Sequence, residues 1–256
     1  MTTARTPGAS LPSMTRAGML LRLLAVQGSW NYETLLGNGI AFCIEPALRL
    51  LPGGRGGPAY RAALARQSEY FNAHPYLAAV AVGALARAEL DGEDPERIRR
   101  FRTALCGPLG SVGDRLVWAS FLPGCSFAAL LVFALGGGPV LVMVAFLALY
   151  NTGHLALRLW GLHVGLRQGL RVAKSLGTPF LRRAPQEIGR VVAVLSGLAL
   201  PLAMSRILSP HGVLLGAVVA AMAVGGALLA RMYGRVEGWK ASMLLLAGFV
   251  LYSVAR

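Results

Sequence analysis

The side chains that could do chemistry in this chain stand at breaks in apolar sequence. Gln27 and Asn31 lie in Gln27-Gly28-Ser29-Trp30-Asn31-Tyr32-Glu33, and Asn72 and His74 lie in Phe71-Asn72-Ala73-His74-Pro75. Asp114 closes Cys106-Gly107-Pro108-Leu109-Gly110-Ser111-Val112-Gly113-Asp114 and is followed by Arg115. Amides, an imidazole and a carboxylate supply both donors and acceptors, which is what the many hydroxyls of a sugar require. Such groups are costly beside an apolar layer, so their presence there points to a binding or permeation site. Each also has a plainer reading. Gln27 and Asn31 could be caps, His74 a turn residue satisfied by backbone, and Asp114 the N-cap of a following helix. The four histidines form no HExxH, the three cysteines form no CxxC, and no GxSxG, phosphate-binding or dinucleotide loop is present. The chain is therefore expected to be non-catalytic, with no metal and no cofactor.

The elements that hold these residues are set by composition. Of 256 residues, 55% are hydrophobic and only 14% charged, with a mean hydropathy of +0.57, where a soluble domain carries roughly a quarter charged residues. An all-α, polytopic integral membrane protein is expected. The 25 Lys and Arg against 11 Asp and Glu give a net charge of +14. That excess is spread between apolar runs, so it suits loops on the cytoplasmic side of a bilayer and not nucleic acid. Ala88–Arg102 and Arg158–Arg190 are arginine-rich and adjoin apolar helices, which places both on the cytoplasmic face.

Residues 1–13 read as disordered, and 14–26 as an interfacial amphipathic helix carrying Arg16 and Arg22. Ser29 or Asn31 would cap a helix over Leu35–Leu51, interrupted at Gly37, Gly39, Glu45 and Pro46. Tyr60–Phe71 is amphipathic and ends where Pro75 pushes His74 out of the α region. Tyr76–Leu85 is too short to span and reads as a re-entrant or broken half-helix. Pro108 and the glycines predict that no regular helix crosses Gly107–Gly113. Two spans follow in Leu116–Arg158, divided by Gly136-Gly137-Gly138-Pro139. Further apolar helices are expected over Val191–Met204, Gly212–Leu229 and Trp239–Val254, with a break at Pro201.

The three motifs quoted above resemble, in order and at suitable spacing, the IID membrane component of the mannose/fructose/sorbose-family phosphotransferase system (PTS). The resemblance covers about residues 15–190 of a membrane domain running from 14 to 256. It implies a compact helical subunit of the bacterial inner membrane, multi-pass, which joins a IIC subunit to translocate a mannose-type hexose. A cytoplasmic IIAB protein, phosphorylated on histidine, would then phosphorylate the sugar. By the same resemblance Gln27, Asn31, Asn72, His74 and Asp114 would contact substrate, and Trp30, Glu33, Pro75, Gly107, Pro108 and Gly113 would maintain the motifs. Arg115 stands where the family has a small residue or proline. The alternative is a non-transporting IID-like scaffold or regulator in an incomplete system.

Overall fold

The computed structural model describes residues 10–173, 177–208 and 224–225. The chain divides into two compact units, Met1–Ala199 and Leu200–Arg256. All three motifs belong to the first. Among the described residues, the α-helices in order are α1 (Ser13–Leu23), α2 (Gly37–Leu48), α3 (Pro58–Ser68), α4 (Ala78–Leu90), α5 (Pro95–Gly113), α6 (Leu122–Ala134), α7 (Pro139–Gln168) and α8 (Pro179–Leu208). A π-helical segment, Asp114–Phe121, joins α5 to α6, and a single 3₁₀ turn, Gly169–Arg171, follows α7. Among the described residues the only β pairing is two isolated bridges.

At the centre lies α4. Its alanines, valines and Gly83 are buried on all sides, so this segment, too short to span, forms the core of the first unit. The short apolar run does not stop at Leu85, because Arg87 is absorbed by the fold: its Nε donates to Leu166 O at 3.1 Å. The closest partner is α7. A Cβ on Gly83 would lie 2.6 Å from Leu162 O, and one on Gly165 would lie 2.4 Å from Val80 O. Gly161 and Gly165, four residues apart on α7, thus let two backbones meet as small residues do in membrane helix pairs.

Three continuous helical stretches, Pro95–Ala134, Pro139–Arg171 and Arg183–Ile207, are long and apolar enough to cross a bilayer. Large apolar side chains such as Val140, Leu141, Val144 and Leu147 are exposed along α7, as lipid-facing residues are. The loop at Gly136–Pro139 divides α6 from α7 as its sequence predicts.

Several expected breaks are not breaks. The helix runs straight through Gly107–Gly113. Pro108 deprives only the Ala104 carbonyl of its partner, both residues are exposed, and Leu105, Leu109 and Gly113 on the other face are buried. Asp114 accordingly caps nothing and marks the change from α to π geometry. Beyond it Pro123 has no N–H to give the Ala119 carbonyl an α-type bond, and the preceding wide turn ends there.

Pro46 lies inside α2 without interrupting it. The carbonyl it leaves free, Phe42 O, accepts instead from Arg22 Nη1 at 2.8 Å. No side chain caps α2; Asn31 serves its own turn instead. Pro201 is likewise enclosed by α8. The apolar stretches expected at 212–229 and 239–254 lie essentially outside the described residues.

Two buried ionic centres tie the small helices together. Glu45 receives Arg22 (2.9 Å), Arg49 (2.8 Å) and the Tyr60 hydroxyl (3.0 Å), joining α1, α2 and α3. Burial alone would raise its pKa, but the bonds from Arg49 and Tyr60 and the charges of Arg49 and Arg22 outweigh that and hold it below the usual carboxylate range. Glu89 is gripped by both nitrogens of Arg66 at 2.9 and 2.6 Å and by Gln67 Nε2 at 2.7 Å. Cys43 is fully buried, which pushes its thiol up to about 12 and leaves it a small apolar residue.

Candidate functional site

The three motifs are brought together by the loop that follows α3. Arg102 of α5 positions that loop. Its guanidinium donates to the carbonyls of Gln67 (2.8 Å), Glu69 (2.8 Å) and Tyr70 (3.0 Å) and to Gln67 Oε1 (3.1 Å), consuming the orphan carbonyls at the end of α3. It also lies over the ring of the fully buried Phe71.

The first motif meets the second at Phe71. Leu36 N donates to Phe71 O at 2.9 Å, and Phe71 N donates to Thr34 O at 3.1 Å. Asn31 shapes this join. Its Oδ1 accepts from the N–H groups of Glu33 (2.9 Å) and Thr34 (2.8 Å), while its Nδ2 donates to Ser29 O (3.2 Å). Leu35, which Asn31 O also receives, takes φ of 49°. Close approach of backbone explains Gly37, whose Cβ would fall 2.2 Å from Glu69 O.

The second motif meets the third along α5. Asn72 N–H points to Cys106 Sγ at 3.5 Å, and His74 N donates to Leu109 O at 3.3 Å. A Cβ on Gly113 would lie only 2.1 Å from that of His74. Gly107 and Gly110 have open space around them, so of these three glycines only Gly113 is required by contact.

His74 is 1% exposed. Its Nδ1 accepts from Tyr76 N–H at 3.2 Å, which in the neutral ring assigns the proton to Nε2. That Nε2 is buried and has no hydrogen-bond partner. Burial, with a smaller contribution from the Arg158 charge, lowers the imidazole pKa to about 4, so the ring is neutral at pH 7. An unsatisfied buried donor costs about 1–3 kcal/mol, and a hydroxyl oxygen brought to it would recover that.

Around His74 stands a group of aromatic and polar side chains. Tyr76 and Trp118 place their ring centres 5.0 Å from the imidazole. Trp118, on the π segment, is 45% exposed. Tyr76 bonds the Tyr150 hydroxyl, stacks on His154 and carries the Arg158 guanidinium 4.3 Å above its ring. Arg158 donates to Leu23 O (3.2 Å) and to His154 Nδ1 (2.6 Å); arginine has no acceptor, so His154 holds its proton on Nε2 and gives it to Asn151 Oδ1 (2.8 Å).

Of the residues expected from sequence, His74, Pro75, Gly113 and the backbone of Asn72 are assembled here. Asn72, Asp114 and Gln27 are exposed, as are Gly107 and Pro108. Trp30 and Glu33 are exposed on the first motif, where Trp30 meets Tyr32 edge-on. Arg115 sends its Nε to Ser111 O at 3.2 Å, as expected if it does not engage Asp114. The sequence motifs do not single out Tyr76, Trp118, Tyr150, His154 or Arg158. The available signal is the spacing of Tyr150, His154 and Arg158, four residues apart on one face of an otherwise apolar helix.

Residues 11–191 match the family described as the PTS system mannose/fructose/sorbose family IID component. The chain is 32% identical over 225 residues to the mannose-specific EIID component of Escherichia coli K12, covering 82% of this chain and 78% of that one. It is 28% identical to the fructose permease IID component of Bacillus subtilis 168, covering 76% and 74%. Among solved structures it resembles a chain of the mannose transporter ManYZ in complex with microcin E492, with a TM-score of 0.57 and 24% identity over 96% of this chain and 97% of that one. A second chain, described only as a membrane protein, gives a TM-score of 0.70 at 23% identity over 96% and 98%. These structures support the fold, and the sequence matches support the lineage: the chain belongs to the IID components of the mannose/fructose/sorbose family of the sugar phosphotransferase system.

Proposed function

We propose that this IID component joins a IIC subunit in the bacterial inner membrane to form the translocation unit for a mannose-type hexose. A IIAB protein phosphorylates the sugar, and this chain carries out no phosphoryl transfer. Residues 14–256 act as one multi-pass membrane domain in that role. The observation that carries the reading is the buried, unpartnered Nε2–H of His74, which lies beside the rings of Tyr76 and Trp118 where the second motif meets Gly113 of the third.

In this reading the neutral imidazole donates to a sugar hydroxyl oxygen and the exposed face of Trp118 covers the apolar face of the pyranose ring. Asn72, Gln27 and Asp114 supply further amide and carboxylate groups. A carboxylate bond of this kind contributes about 1.5–3 kcal/mol, against 0.5–1.5 kcal/mol for a neutral one. Asn31 acts indirectly, by fixing the turn that bonds Phe71.

The test is uptake of radiolabelled mannose by cells that co-express the IIC and IIAB partners. His74→Phe keeps an aromatic ring but cannot donate, and should abolish uptake at unchanged membrane level. Asp114→Asn should greatly reduce it, and Arg115→Ser should leave it unchanged or raise it. Normal uptake by His74→Phe would remove the imidazole from the site. No uptake by the wild type would favour a non-transporting scaffold.

A further inference from the structure

Away from His74, a cavity of about 740 Å³ opens between α1, the α4–α5 turn and the C-terminal end of α7. Its composition changes with depth along α7. Leu159, Leu162 and Leu166 give it an apolar side, whereas Arg167 stands in the last turn of α7 and Arg171 just beyond, after the helix stops at Gly169 with φ of 54°. The cavity therefore has an apolar side and a cationic side. Its lining holds five arginines and two carboxylates.

Those carboxylates are already engaged: Glu93 pairs with Arg97 at 2.6 Å, and Asp91 lies 3.5 Å from Arg87. Arg16 uses its Nε on Leu11 O at 3.1 Å, and Arg16, Arg167 and Arg171 are all exposed. The net field is positive by three charges, above an apolar floor of leucines.

We infer that this cavity binds the headgroup of an anionic phospholipid of the cytoplasmic leaflet, with the phosphate among Arg16, Arg167 and Arg171 and the start of an acyl chain along Leu159 and Leu162. A free phosphate or a soluble anion would use the arginines but would have no use for the leucines, and a neutral lipid would do the reverse. The site is independent of the sugar site, since no residue named here takes part in it.

An arginine near an anionic lipid surface contributes about fivefold in binding, so removing two should weaken binding roughly 25-fold. The experiment uses the full chain co-purified with its IIC subunit in detergent. Thermal stability is followed during titration with phosphatidylglycerol, phosphatidylcholine or sn-glycerol 3-phosphate. Phosphatidylglycerol alone should raise the midpoint. The Arg167→Gln/Arg171→Gln variant, altered at exposed positions, should melt as wild type without lipid and need roughly 25 times more phosphatidylglycerol for the same shift. Arg167→Lys/Arg171→Lys, which keeps the charge, should respond nearly as wild type. Equal stabilisation by phosphatidylcholine, equal stabilisation by glycerol 3-phosphate, or an unchanged dose in the glutamine variant would each overturn the assignment.

Discussion

Gly113 touches His74 so closely that any side chain at 113 would occupy the imidazole's own Cβ position, 2.1 Å away. The contact joins two motifs separated by 39 positions and makes the glycine a condition for the histidine's placement. Gly113→Ala should destabilise the protein by about 1–3 kcal/mol through overpacking and reduce sugar uptake. Gly107→Ala, in open space within the same helix, should be neutral or stabilising by up to about 1 kcal/mol. Thermal melts of the two variants side by side check both statements, and equal losses would mean that the glycines act through flexibility instead of contact.

Stability should depend on pH through His74. Its folded pKa, about 4, lies below the ordinary 6.5, so the unfolded chain binds the proton first. Stability contributed by the neutral ring is therefore complete above about pH 6.5 and falls as the pH is lowered toward 4. His74→Gln should flatten that part of the profile, as measured by denaturation of the detergent-solubilised protein at pH 4.5, 5.5 and 7.5. An unchanged slope would place the pH dependence elsewhere.

Glu89 should be among the most sensitive positions away from the site. Among the described residues its carboxylate is the sole acidic partner in hydrogen-bonding contact with the buried Arg66, and it also holds Gln67, which in turn receives Arg102. Glu89→Ala leaves a buried cation without its partner and should cost about 3–5 kcal/mol. Membrane yield and melting temperature report the loss; Arg66→Met/Glu89→Leu, which removes both charges, should recover part of it.

Orientation is testable on intact cells. Cysteines introduced at Arg99 and Arg171 should resist an impermeant thiol reagent applied from outside, since both arginine-rich segments are expected on the cytoplasmic face. Strong labelling at either position would reverse the orientation.

Much of the site was legible because its motifs are local. Pro75 announces the end of the loop that carries His74, and Asp94-Pro95 announces the start of α5, where Asp94 accepts from Arg97 N at 2.9 Å. What could not be read depends on distant partners. Pro46 looks like a break until Arg22, 24 positions earlier, takes the carbonyl it frees. Pro108 looks like a break because sequence does not tell that its turn faces outward while Leu105 and Leu109 are buried. The stripe Tyr150, His154 and Arg158 is visible as spacing, yet its purpose depends on Tyr76, a partner 74 residues away.

The glycine contact between α4 and α7 has a mechanical consequence. Where backbone rests on backbone, with Gly165 against Val80 and Gly83 against Leu162, there are no intervening side chains to slide, and the two helices form one beam. Tyr76, just before α4, and Tyr150 and His154, on α7, are mounted on that beam. Trp118 is mounted on the π segment, whose wide turns can tighten to α geometry and carry the indole around the helix axis. Spin labels on Leu90 and Leu159 should accordingly keep their separation when sugar is added, while a label on Ala119 should move relative to both. If the shape of the site changes during transport, it is the tryptophan that swings and the histidine that stays.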